Sequence, residues 1–125
     1  MAYTGTIATE AEIALMAGEN VDSTGDTEAN RNLLMAQVEG YLSALIQYDI
    51  VTNWGSLNSV MKKIFSEYAA RYCAVSLIAY NMSSVGTTFS SLIEPEDMIQ
   101  IHIYRMEEIE KVLTEGKILK ALGVA

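Results

Sequence analysis

The sequence predicts an all-α fold, a small bundle of about four helices with an extended N-terminal arm and a C-terminal segment. Three observations carry that prediction. Apolar residues recur at steps of three and four through three long segments, the spacing that lines one face of a helix. Helix-start signals, a Thr-x-x-Glu box at Thr9 and a lone proline at Pro95, stand where such segments begin. The 125 residues, half of them apolar, are enough for a core that needs neither metal nor disulfide. One domain is expected over 1–125, made of an arm (1–8), a helical core (9–116) and a terminal segment (117–125).

The arm is rich in small residues and has no period. Its first seven residues, fully extended, span roughly 24 Å, enough to reach a neighbouring subunit. Thr9-Glu10-Ala11-Glu12 forms a capping box, in which the Thr9 hydroxyl accepts the Glu12 N–H and the Glu12 carboxylate reaches back. A two-turn helix over 10–17 follows, with Gly18 as its exit, and 19–26 is a polar connector rich in turn formers.

A second helix is expected from Asp26 or Thr27 to about Tyr48. Leu34, Val38, Tyr41, Leu42, Leu45 and Ile46 form its inner stripe; Asn32, Glu39, Ser43 and Gln47 fall on the other side. Asp49 to Gly55 breaks the period. Ser56 is the candidate cap of a third helix reaching about Asn81, with Leu57, Met61, Ile64, Tyr68, Val75 and Ala79 as its stripe. Lys63, Glu67 and Arg71 are spaced for i,i+4 ion pairs on another face. Lys62→Ala is expected to be near neutral.

The 22 uncharged residues between Arg71 and Glu94 raise the question of a membrane span. Asn81, Ser83, Ser84, Gly86, Thr87, Thr88, Ser90 and Ser91 argue against it. The reading is a helix end followed by a Ser/Thr-rich loop, Met82 to Ile93. A fourth helix then starts at Pro95, with Glu94, Glu96 and Asp97 where carboxylates favour a helix N-terminus. Ile99 to Tyr104 alternates like a strand. Ile99, Ile103, Met106, Ile109 and Leu113 nevertheless carry the helical period on to about Gly116. Lys117 to Leu122 is too short to fold alone and should dock on this domain or on a partner.

Net charge is −8, with six acidic and no basic residues in the first thirty. That balance disfavours a grip on nucleic-acid phosphates, which rests on clustered Lys and Arg. The first thirty residues also lack the basic region of a signal peptide, so export by that route is not expected. The single Cys73 can form no bridge within the chain and suits a reducing compartment.

Catalytic signatures are sparse. His102 is the sole histidine, which removes schemes or zinc sites that need two. Glu94, Glu96 and Asp97 lie within two turns of it, but Met98 and Met106 occupy its i±4 positions. It reads as a packed or interface histidine rather than a metal ligand. Cys73, beside Tyr72 and Val75, reads as an inert buried thiol. The stretch Asp22 to Glu28 superficially resembles a calcium loop but lacks the x-Gly-x arrangement and the closing glutamate at the twelfth position. Seven tyrosines and Trp54, without adjacent basic residues, suit core and interface better than base stacking. The expected site list is therefore empty: no catalytic, cofactor or metal residues, and no enzyme.

The order of elements carries one resemblance. A short capped helix (Thr9 to Gly18), a polar connector, a helix ending Gly40-Tyr41-Leu42-Ser43-Ala44-Leu45, the Asp49 to Trp54 turn, a long helix, a Ser/Thr loop and a Glu94-Pro95-Glu96-Asp97-Met98 helix start follow one another. This layout resembles the small helical head-to-tail connector proteins of tailed bacteriophages, also called adaptor or head completion proteins. The resemblance covers most of the chain. It implies a structural virion protein of the neck, present in the host cytoplasm during assembly. Such a subunit forms a ring beneath the portal, twelve-fold to match it, extends the DNA channel without binding DNA specifically, and contacts portal and neck or tail proteins. It implies no membrane and no catalytic residue. By position alone, 117–125 would reach toward the portal. Two alternatives stand beside it: another virion component (minor capsid or tail completion), or a cytoplasmic helical binding module with an open apolar groove between helices two and three.

Overall fold

The computed structural model describes the backbone of residues 3–18, 27–84, 89–115 and 117–123, and the side chains of these residues apart from 80–96. The described residues form α1 (Glu10–Ala17), α2 (Glu28–Ile46), α3 (Lys63–Ser84), α4 (Phe89–Leu113) and a short α5 (Ile118–Ala121), with a 3-10 turn at Trp54–Ser56 and no strand. The chain is thus an all-helical bundle. The strand-like alternation of Ile99 to Tyr104 lies inside α4.

The helix starts follow local chemistry. Thr9 Oγ1 accepts the Glu12 N–H at 3.2 Å and Glu12 accepts the Thr9 N–H at 2.9 Å, which completes the capping box of α1. Thr27 Oγ1 caps α2 through the Asn30 N–H at 3.2 Å. The Glu19 to Asp26 connector lies outside the described residues. Helix α2 ends two residues before the expected Tyr48, with Gln47 in the left-handed region at φ 57°.

Helix α3 is the central element, packed against α1, α2 and α4. That position explains why a single stripe misjudged it. Phe65, Tyr68, Ala69, Ala70, Cys73, Ala74, Leu77 and Ile78 are all buried, so burial runs round most of its circumference. Of the expected stripe, Leu57 and Tyr68 are inside, Ile64 and Val75 are half-buried, and Met61 and Ala79 are exposed. The small side chains Ala69, Ala70, Cys73 and Ala74 let the neighbouring helices approach closely. The helix also starts later than Ser56. Asn58 Oδ1 accepts the N–H groups of Val60 and Met61, each at 3.0 Å, and turns the chain into it.

The stripe of α2 is closer to expectation: Val38, Leu42 and Ile46 are buried, and Leu34 and Leu45 pack at the core edge. Met35 joins them with no exposure, whereas Tyr41 is 44% exposed. On α4 the core face is His102, Ile109 and Leu113, with Met106 half-buried.

The segment around Pro95 departs from expectation. Helix α3 continues to Ser84 and α4 begins at Phe89, so most of the expected Met82 to Ile93 loop is helical, apart from 85–88, which lie outside the described residues. Serine costs only a fraction of a kcal/mol per residue in a helix, so Ser90 and Ser91 do not by themselves stop one. Pro95 then sits seven residues into α4 rather than in its first turn, where its missing N–H leaves one helical bond unmade.

The described residues near both ends contribute to the core. Ile7 and Ala8 are each 2% exposed, so the arm over its described residues 3–8 is packed on its own domain rather than extended outward. At the other end Ile118 and Leu122 are buried, and the Asn58 N–H donates to the Leu122 carbonyl at 2.9 Å. The 117–122 segment therefore docks on its own domain, one of the two outcomes its sequence allowed. A two-turn helix and a four-residue helix cannot persist alone; each is held by the apolar residues it inserts.

Candidate functional site: a polar network between helices and exposed apolar side chains

One polar network threads the bundle. Arg71 on α3 donates from Nε to the Glu67 carboxylate at 2.9 Å and from Nη1 to Nδ1 of His102 at 2.8 Å. Glu67 also takes Arg105 of α4 in a two-pronged pair at 2.7 and 3.1 Å, and Arg105 reaches Glu108 at 3.4 Å. The second histidine nitrogen, Nε2, lies 2.8 Å from the carbonyl oxygen of Met16, in the last turn of α1.

These partners assign the imidazole. A guanidinium can only donate and a carbonyl can only accept, so Nδ1 is bare and Nε2 carries the proton. His102 is thus neutral, 5% exposed, and bonded at both nitrogens. Its pKa lies below the ordinary imidazole value, chiefly because burial disfavours the charged ring, with the Arg71 charge acting the same way and the Met16 bond opposing. Glu67 is held below the usual carboxylate range by its bonds to Arg105 and Arg71, against the effect of burial. The network joins α1, α3 and α4, and its chemistry is positional: each group already has its partner.

Cys73 is buried and its thiol is pushed up to about 12 by burial and by Glu39, the reverse of nucleophile activation. Among the described residues no three His, Cys, Asp or Glu side chains gather in a way that could hold a metal ion. The Glu94 and Glu96 side chains, and Asp22 to Asp26 of the calcium-like stretch, lie outside the described residues.

Two of the tyrosines pack on each other. Tyr41 stacks on Tyr68 across α2 and α3 with centroids 6.1 Å apart, and the Tyr68 hydroxyl donates to Glu110 at 2.7 Å. Lys62 is half-buried; its Nζ donates to the Trp54 carbonyl at 2.9 Å and stands 4.8 Å from the Trp54 ring centroid. The near-neutral reading of Lys62 is therefore corrected, because it ties the 3-10 turn to the approach of α3.

The surface carries uncovered apolar side chains. Leu15 on α1 is 77% exposed, and Ile101 and Tyr104, three residues apart on α4, are 65% and 68% exposed. Val60 and Met61, just before α3, are exposed as well. An open groove of about 360 Å³ between α1 and α3 is lined by Glu12, Leu15, Met16, Lys63, Ser66 and Glu67. Among the described residues no helix is long and apolar enough to cross a membrane. No family model matches this chain, and no curated protein or solved structure matches it either.

Proposed function

We propose that the chain is a structural virion subunit, a head-to-tail adaptor that joins copies of itself into a ring between the portal and the tail or neck and extends the DNA channel. Its layout resembles that family. The observation that carries the reading is the uncovered apolar surface of α4 and α1, Ile101, Tyr104 and Leu15. Aromatic and large aliphatic side chains that a single chain leaves in water are the material of interface centres. In a ring the same two patches meet at every step.

The arm and the 117–122 segment, tied into their own core, leave the subunit and portal contacts to these helix faces. A net charge of −8 suits a channel through which a polyanion must slide. The binding-module alternative called for an open apolar groove between helices two and three. Tyr41 stacked on Tyr68 occupies that seam, which favours the assembly reading.

The test mixes purified protein with cognate portal rings and images the product. A ring added beneath the portal, and the protein's detection in mature particles by mass spectrometry, are the expected results. The double variant Ile101→Asp, Tyr104→Asp should fold and melt normally yet fail to add to the portal. Absence of the native protein from both portal complexes and virions would overturn the proposal.

A further inference from the structure

The contact between His102 and α1 has a consequence for how the bundle responds to acid. Helix α1 has eight residues, too few to be stable without tertiary contacts. Its N-terminal end is doubly anchored: by its capping box, and by the arm ahead of it, where the Ser66 hydroxyl donates to the Ile7 carbonyl at 2.7 Å. Its C-terminal end is held by the burial of Ile13 and Ala17 and by the bond from His102 Nε2–H to the Met16 carbonyl.

Protonation would leave that N–H in place; what only the neutral ring provides is the bare Nδ1 that accepts from Arg71. A second proton on His102 would have to sit on Nδ1, 2.8 Å from the Arg71 Nη1 donor. Two N–H groups would then face each other, each on a cation, where the neutral ring had offered an acceptor. Glu67, the nearest carboxylate of α3, is engaged by Arg71 and Arg105. Other charges around the ring do not change the balance. Helix α1 presents its C-terminal carbonyls, which favour a cation, and Glu12 one turn earlier. Helix α4 itself carries the exposed Asp97 and Arg105, the latter turned to Glu67. The ring's pKa is nonetheless lowered overall, by burial first.

We propose that His102 is an acid-sensitive latch: a second proton on Nδ1 breaks its bond to Arg71, and as the two cations move apart the C-terminal turn of α1, still bonded to the ring through Met16, is drawn off α3, while the capped N-terminal end stays anchored. The sign follows from the bonding. With the folded-state value depressed below the ordinary 6.5, the neutral ring contributes its full stability above pH 6.5, and that contribution is lost as pH falls from there through the folded-state pKa. Opening takes up one proton in this window, so its equilibrium constant rises by about tenfold per pH unit and then levels off.

The experiment uses the full chain labelled with ¹⁵N. Long-range ¹H–¹⁵N correlation should show the Nε2–H tautomer at pH 7 and a titration midpoint below 6.5. Amide exchange, corrected for its intrinsic pH dependence, should show the Ala14 to Gly18 amides losing protection with that same midpoint while Val38 and Leu42 in α2 keep theirs. His102→Gln, whose amide can accept from Arg71 and donate to Met16 but cannot titrate, should abolish the acid response. Arg71→Met, which clears Nδ1, should raise the His102 midpoint. A midpoint at or above 6.5, an α1 whose protection is indifferent to His102 titration, or an unchanged acid response in His102→Gln would each overturn the latch. Should His102→Gln not fold, the two wild-type readouts decide the matter.

Discussion

Glu39, midway along α2, accepts the backbone N–H of Ile7 at 3.0 Å through the same carboxylate oxygen that takes the Thr6 N–H at 2.7 Å. Seven residues earlier Asn32 accepts the Thr4 N–H at 2.8 Å, and four residues later Ser43 takes the Ile50 N–H at 3.4 Å. The polar side of α2 is thus the hydrogen-bonding rail for backbone that has no helix or strand of its own. Glu39→Ala should leave the Thr6 and Ile7 donors unpaired and destabilise by about 1 to 3 kcal/mol, with the arm becoming sensitive to limited proteolysis. Glu39→Gln, which keeps one acceptor oxygen, should cost less. Equal stability of Glu39→Ala and wild type in urea melts would refute the rail.

Two positions four residues apart, one in the turn before α3 and one in its first turn, differ sharply in burial. Phe65 has no exposure and Met61 is 50% exposed. Phe65→Ala should cost about 3 to 5 kcal/mol by leaving a cavity, and Leu42→Ala on α2 about 2 to 5 kcal/mol. Ile64→Ala, at the half-buried edge, should fall below both, and Met61→Ala within about 0.5 kcal/mol of wild type. Denaturant melts give the order directly.

Removing residues 117–125 should lower stability rather than leave the fold untouched, because Leu122 is fully buried and its carbonyl takes the Asn58 N–H. Leu122→Ala alone should cost about 2 to 5 kcal/mol. A truncated chain with an unshifted melting temperature would show that the segment is dispensable to the fold.

Lys62→Ala removes a hydrogen bond to the Trp54 carbonyl and a cation over its ring, a loss of about 1 to 2 kcal/mol. Lys62→Met, which keeps the apolar stem, should recover part of the packing but neither polar contact. The environment-sensitive fluorescence of Trp54 reports both changes.

Cys73, with no exposure and its thiol pushed up to about 12, should resist alkylation by iodoacetamide at pH 8 in the native protein. It should react at once in guanidinium. Rapid modification without denaturant would mean that α3 opens far more readily than its burial implies.

Much of the architecture was legible in local chemistry. The capping box at Thr9, the Thr27 cap and the Val38, Leu42, Ile46 stripe act within a few residues of chain, and the structure places them as read. What was hidden required a partner from elsewhere. Glu39 and Asn32 look like ordinary solvated residues until the arm is laid across them. His102 reads as a lone imidazole, because its two partners, Arg71 and Met16, stand 31 and 86 residues away.

The sequence alone determined the helical class, the start of the first helix and that of the second to within one residue, the charge of −8 and the scarcity of histidine and cysteine, since periodicity, caps and composition are properties of neighbouring residues. Only the tertiary structure decided that α3 is central and buried on most sides, that α4 runs through Pro95, and that Ile7, Ala8, Ile118 and Leu122 close the core. The physical reason is common to all three. Burial of apolar area between elements outweighs the weak local preferences of Ser, Pro and short terminal segments, and a one-dimensional pattern cannot show how many neighbours a helix will have.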